Sequence, residues 1–555
     1  MGAALRPVSA VAGRGWWVPA AAFALPLLAS LWFALAGALD AGAWVRLVAD
    51  PALPQALALS VGVGVAATVL SLAITLWLVT HLHGTAAWAR IERALGALLA
   101  VPHAAFAIGL ALLLMPSGLL LRLAAPLAGW ESPPDVSTVH DPLGLALILG
   151  LVLKEVPFLL WNVAAQLRPV AQAAQLRQAL LTGQAMGYAA ASVWWRVIWP
   201  QLLPRLALPL LAVWAYGASV VDMALVLGPT NPPTLAQLAW SWLLDADAAV
   251  NAQGAAAALL LAGVVALGAV VAVAAVRLLR PLLRAWQVRG DRAAAGSASR
   301  AVAAAVGSGA LLYGLALALL AFVSVAGVWR FPALWPQVVS FDAWASVAAS
   351  LPVLGHTAGL ALASAATGVL LAVAWMETTP ARWDDRAAPL VFATMLVPGV
   401  LLVAGLYQLT LLLRLDGSLT GLWLAHSLFT APYALVALAP AYRGFDARYE
   451  QTARALGRSH AAFLLRIKWP MLLAPLAAAF AVGFAVSVAQ YLSTQFVGAG
   501  RHATVTTEAL TLASGGQRTL LAAYALLQAL LPALVFGAAW WLGRRQVRRL
   551  GLEAH

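Results

Sequence analysis

The chain has 555 residues, 63% of them hydrophobic and only 10% charged, with a net charge of +13. A soluble globular protein carries about 25% charged residues, so composition excludes a water-soluble fold. The chain has no cysteine, which excludes disulfides, Cys-ligated zinc and thiol chemistry.

Apolar runs long enough to cross a ~30 Å hydrocarbon core as a helix recur throughout. Twelve are predicted, near 17–38, 56–80, 95–121, 143–166, 202–227, 254–277, 305–328, 354–376, 388–413, 418–440, 471–497 and 518–542. Ala, Leu, Val and Gly dominate without polar alternation, so an all-α integral membrane protein is expected rather than a β-barrel. The first run follows Arg6 and Arg14, and Ala34, Leu35 and Ala36 resemble a signal-peptide cleavage site. It is expected to stay as an uncleaved first helix, because the later spans depend on its orientation. His81 and His83 close the second span with no carboxylate nearby, so they read as a span end and not a metal site. Trp16, Trp17, Trp329, Trp335, Trp540 and Trp541 lie near span ends, as in an interfacial aromatic belt.

Between the third and fourth spans, residues 130–140 are rich in turn formers and are expected outside the cell. The fourth span carries Lys154 and Glu155 within an apolar run. A charge at bilayer centre costs about 2.5–3.5 kcal/mol or more. The pair therefore reads either as a pathway or gate element or as a structural bridge between helices. A polar, basic segment from Gly187 to Pro200 precedes the fifth span, which carries Asp222 late in its length. Residues 281–302 are small, polar and basic, as in a cytoplasmic linker between a first unit, 1–280, and a second, 303–555. A second polar segment runs from Gly457 to Pro470. The eleventh span ends with Gln490, Tyr491, Ser493, Thr494 and Gln495. Lys154, Glu155, Asp222, Gln490, Tyr491 and Thr494 are the candidate pathway residues.

The two Gly-to-Pro segments are 270 residues apart and share Ala191/Ala461, Arg196/Arg466 and Trp199/Trp469. Gly228/Gly498 and Thr234/Thr504 keep that offset, Pro157/Pro432 differ by 275, and Val101-Pro102 matches Val397-Pro398 at 296. The chain thus reads as a tandem duplication with insertions in its first half. Six spans per unit is an even number, so both units enter the membrane alike, as parallel repeats about an axis along the membrane normal. With the N-terminus inside, 26 Lys and Arg fall on the cytoplasmic side and 6 on the other. That is the positive-inside bias, with both termini and both polar segments in the cytoplasm. It also accounts for the net charge without nucleic acid.

The stretch from Gln451 through Arg454 to Gly457, followed by thirteen residues to Pro470, resembles the EAA loop of binding-protein-dependent ABC importer permeases. That loop reads roughly Glu-Ala-Ala-x-x-x-Gly, about nine residues, an aliphatic residue and Leu-Pro. Two fused copies resemble the ferric-iron and thiamine branch. The resemblance implies the methionine-importer-like permease fold in a bacterial inner membrane. It implies two copies of a cytoplasmic ABC ATPase, which hold ATP and Mg, and a periplasmic or lipid-anchored solute-binding protein. The docking residues it implies are Gly187, Arg196 and Pro200 in the first loop. In the second they are Glu450, Gln451, Arg454, Gly457, Arg466 and Pro470. The second copy has Gln451 where the family has Glu, with Glu450 just before it. The first copy, Leu181 to Gly187, has no acid at all. A loop that merely joins two spans is the plainer reading, but connecting loops are shorter and need no repeated sequence.

No phosphate-binding Gly-x-x-x-x-Gly-Lys pattern exists, because the only lysines are Lys154 and Lys468 and neither follows Gly. No His-Glu-x-x-His or Gly-x-Ser-x-Gly occurs. The chain is not expected to be an enzyme or to hold a cofactor of its own. An ion-coupled secondary transporter is the alternative, though it needs several coupled acids or histidines inside the spans. The transported solute is not legible.

Overall fold

The computed structural model describes residues 15–290 and 299–549. The linker core 291–298 and the basic residues Arg6, Arg14 and Arg292 lie outside the described residues. The regular secondary structure of the described residues is helical, apart from an isolated bridge between Ala326 and Val339. Ten helices are long and apolar enough to cross a membrane, or twelve if each of two bent pairs is one span.

The first half runs α1 (Trp17–Gly37), α2 (Ala41–Ala49), α3 (Leu53–Leu82), α4 (Ala86–Ala100), α5 (His103–Leu114), α6 (Leu119–Ala128) and α7 (Leu145–Leu167). It continues through α8 (Val170–Ala185), α9 (Ala190–Val193), α10 (Trp199–Leu202), α11 (Ala207–Ser219), α12 (Asp222–Leu227), α13 (Leu235–Leu243) and α14 (Ala248–Val288). The second half opens with α15 (Ser299–Val323), α16 (Asp342–Ala349), α17 (Leu351–Thr378), α18 (Asp384–Leu396), α19 (Gly399–Leu412) and α20 (Leu419–Arg443). It ends with α21 (Ala447–Ala455), α22 (His460–Phe463), α23 (Trp469–Met471), α24 (Leu473–Ala489), α25 (Leu492–Gly498), α26 (Val505–Ala513) and α27 (Arg518–Arg549). Apart from α6, each helix of the first half has a counterpart at the same place in the order of the second.

Local chemistry sets the breaks. Pro102 and Pro398 stand at the N-caps of α5 and α19, and α18 meets α19 at 100°. Proline lacks the N–H that a continuous helix needs there. Thr234 and Thr504 form capping boxes at α13 and α26, which satisfy orphan donors at each helix start. The next N–H in each case donates to a hydroxyl on the second span of its half. Leu235 donates to Ser60 and Val505 to Thr357, both at 2.9 Å.

The halves are interlocked. α1 packs mainly on α19, in the second half, while α15 packs on α5, in the first. Each crossing occurs at a glycine. A Cβ at Gly109 would collide with the carbonyl oxygen of Ala316, and one at Gly405 with that of Ser30. Small residues let membrane helices approach to backbone contact. The largest core therefore mixes both halves, with Phe106, Ile108 and Leu113 beside Tyr313, Leu320, Ala522 and Tyr524.

Both ends of the expected linker differ from expectation, since α15 already begins at Ser299. α14 continues through Pro281 to Val288, so the first residues of the expected linker are helical. Contacts described below, from Arg196 and Tyr188, hold its end.

Candidate functional site

The two polar segments fold alike. In the first, Gly187 ends α8 with φ +87°, and in the second Gly457 follows α21 with φ +71°. Gly187 N–H donates to Gln184 O at 2.9 Å and Tyr188 N–H to Gly183 O at 3.0 Å. Gly457 N–H donates to Arg454 O at 2.9 Å and Arg458 N–H to Ala453 O at 2.9 Å. Both are Schellman closures, which require a left-handed residue and favour glycine. A second short helix follows, then one π-helical turn, Trp194–Ile198 in the first segment and Leu464–Lys468 in the second. Such π-turns are rare and concentrate at functional sites. Pro200 and Pro470 lie in the first turns of α10 and α23.

Each segment presents apolar side chains to the outside at matching places. Met186 is 54% exposed and Leu456 74%, while Trp195 is 38% exposed and Leu465 61%. Leu181 and Tyr449 add to the two patches. Arg466 is exposed, whereas Arg196 is committed to its own chain. Its guanidinium donates to Trp286 O at 3.2 Å and Gln287 O at 3.3 Å and lies over the Trp286 ring. Tyr188 OH donates to Gly290 O at 3.2 Å. The first segment is thus braced by the end of α14.

The second segment has a different brace. Glu450 pairs with Arg454, and His460 Nδ1 lies 3.2 Å from the same carboxylate. His460 Nε2 lies 3.3 Å from Glu377, which also holds Lys468. Glu450 and Arg454 therefore face one another within the segment. Asp446 caps α21 through Arg448 N–H, and its bond to the Arg448 side chain holds its carboxyl below the usual range. Glu377, His460 and Lys468 were not singled out as a brace from sequence. The one signal available was a lone acid, Glu377, at the end of an apolar span.

Inside the membrane, the neighbours Lys154 and Glu155 go separate ways. Lys154 Nζ donates to Leu98 O at 3.1 Å, Val101 O at 2.7 Å and Tyr313 OH at 3.3 Å. It ties α7 to the end of α4 and to the crossing helix α15. Glu155 faces His103 at 3.6 Å. Asp222 begins α12 and accepts from Tyr216 OH at 3.3 Å. Both fifth spans break at equivalent points, at Val220 and Val221 before α12 and at Gln490 and Tyr491 before α25. Non-helical backbone at membrane depth persists only inside protein or beside a cavity. Gln490 and Thr494 join a neutral cluster about His426. That ring bonds Ser487 Oγ at 2.8 Å and Thr494 Oγ1 at 3.0 Å, and Gln490 Nε2 donates to His426 O at 3.2 Å.

No protein-family model matches the chain. An Escherichia coli K12 protein, "Inner membrane ABC transporter permease protein YnjC", is 36% identical over 540 residues, covering 95% of this chain and 96% of the relative. The chain belongs to the ABC transporter permeases. More distant similarity links this permease to two proteins titled "Spermidine/putrescine transport system permease protein PotC". The Haemophilus influenzae one is 26% identical over 116 residues, 21% of this chain and 45% of the relative. That of Escherichia coli K12 is 28% identical over 120 residues, 21% of this chain and 46% of the relative. The permease is a multi-pass inner membrane protein and not itself an enzyme, because ATP hydrolysis resides on a separate subunit.

Proposed function

We propose that this permease is the membrane subunit of an ATP-driven importer in which two parallel six-helix units rock against each other. Residues 1–280 and 303–555 form the units, joined by a cytoplasmic linker, in the methionine-importer-like arrangement of the ferric-iron and thiamine branch. The segments ending at Pro200 and Pro470 are EAA-type docking loops for two copies of an ATPase. A solute-binding protein, periplasmic or lipid-anchored, delivers to the opposite face. The observation that carries this reading is the loop pair itself. Two cytoplasm-biased segments share a left-handed glycine, a π-turn and exposed apolar residues at one fixed offset of 270 residues. Exposed apolar groups in a polar surface mark a partner interface.

Closure of the ATPases moves the two loops, and the rigid helices behind them turn that motion into rocking of the halves. The binding protein must favour the outward state, since a ligand shifts an equilibrium only by its differential affinity. The test is co-purification with an ATPase and a secreted binding protein encoded beside this gene, followed by solute-stimulated hydrolysis in reconstituted membranes. Stable assembly with coupled hydrolysis is expected. An ATPase that binds equally well after both loops are deleted would overturn the docking assignment.

A further inference from the structure

A polar cluster lies at mid-span where the halves meet. From the first half, His103 opens α5, Glu155 lies midway along α7, and Tyr216 and Asp222 flank the break between α11 and α12. The His103 ring lies 4.8 Å from that of Tyr216 and 3.6 Å, through Nε2, from Glu155. Tyr216 in turn donates to Asp222. From the second half, Tyr433 on α20 is within electrostatic reach of Glu155, and Tyr491 within reach of Asp222. The Trp240 ring, on α13 of the first half, lies 6.1 Å from that of Tyr491.

The cluster is not electrically closed. Glu155 is only 6% exposed, yet it accepts no hydrogen bond among the described residues. Its one ion-pair neighbour is an imidazole. Lys154, the nearby ammonium, is spent on two carbonyls and Tyr313. Glu155 and Asp222 are thus two acids beside a single imidazole, and neither accepts a hydrogen bond from a Lys or Arg side chain among the described residues. A buried carboxylate without a hydrogen-bonding partner is costly and is kept where a partner comes and goes. Meanwhile the His103 side chain is 35% exposed. The second half has nothing comparable: Gly399, Thr430 and Leu492 stand where the first has His103, Glu155 and Asp222. Both acids and Tyr216 belong to the first half, and Tyr433 and Tyr491 come from the second.

We propose that this cluster is a binding site for an organic cation in transit, its ammonium between Glu155 and Asp222 and its carbon skeleton against the rings of Tyr216, Tyr433 and Tyr491. The assignment rests on the permease reading above for the notion of transit. Aromatic faces attract diffuse cations such as alkylammonium groups. A coordinated metal does not fit, since no group of three His, Asp or Glu side chains among the described residues could hold one.

The chain has no native thiol, so Tyr433→Cys supplies a single reporter in the full-length protein in membranes. The probes are two methanethiosulfonates, one carrying a trimethylammonium group and one a sulfonate. The cationic reagent is expected to react at least tenfold faster. Tetramethylammonium is expected to slow a neutral reagent at the same thiol. Adding Glu155→Gln or, separately, Asp222→Asn should bring the rate ratio down to about one and abolish that protection. Elution of each purified variant as a single monodisperse species in detergent reports whether it is folded. An unreactive thiol, a ratio near one before neutralisation, an unchanged ratio after it, or protection by an alkylsulfonate overturns the proposal. These rates need no ATPase, so failure of the docking-loop assignment and failure of this site are read separately.

Discussion

Gly187 and Gly457 hold the left-handed φ that closes their helices, and no other residue type does so without strain. Proline cannot adopt that φ at all. Gly457→Pro is therefore expected to weaken ATPase binding and uncouple hydrolysis from uptake. Unchanged assembly and unchanged uptake would show that 451–470 is only a connector. The two loops also differ residue by residue. Glu450 is bracketed by Arg454 and His460, whereas Leu181 is an exposed apolar group. A hydrogen bond to a charged group is worth about 1.5–3 kcal/mol when buried, less here because Glu450 is partly exposed. Alanine at Glu450 and Gln451 together is expected to reduce solute-stimulated ATPase activity more than alanine at Leu181 and Thr182. The bracket makes the mechanism specific: the acid holds the second loop in shape and need not touch the ATPase. If the first-loop double mutant is the more damaged, shape at Glu450 is not what matters for coupling.

At the scale of elements, the first helix of each half is the one that crosses. The crossings meet Gly109 and Gly405, which are 296 residues apart, the same offset as the Val-Pro pairs that open α5 and α19. Overpacking a tight core costs about 1–3 kcal/mol, and backbone atoms cannot swing aside as side chains do. Gly405→Leu is expected to lower thermal stability in detergent markedly and to release α1 from α19. Gly263→Ala, where a Cβ meets nothing within 4 Å, is the control and should change little. Equal melting temperatures for the two variants would mean that the crossing is loose. The α14 extension belongs to the same scale. Arg196→Ala removes both carbonyl contacts and the stacking on Trp286, and should increase protease cleavage near residue 288.

For the whole molecule, the basic bias predicts the orientation. A thiol introduced by Asp135→Cys is expected to react with an impermeant reagent in intact cells, and one introduced by Arg458→Cys only after lysis. The reverse pattern would invert the molecule and remove both loops from the ATPase side.

Helical class, ten of the twelve expected spans and the paired polar segments were legible in the sequence because each depends on local chemistry, namely apolar length and Gly or Pro at a fixed spacing; the other two spans are present only as bent helix pairs. The bends of 100° and 77° within two spans were not read as such, although Pro398 and Pro470 stand beside them. Proline predicts a break, while neighbouring helices fix its angle. Lys154 and Glu155 show the limit most clearly. Helix geometry alone sets these neighbours about 100° apart, so the sequence shows that they need not pair but not where each goes. One is absorbed by carbonyls of α4 and a tyrosine of α15, and the other faces an imidazole from α5. The sequence alone determined that charge is buried there. Which charge is satisfied, and which is left facing its neighbours across the interface, was decided by interlocking halves that bring residues more than two hundred positions apart into one cluster.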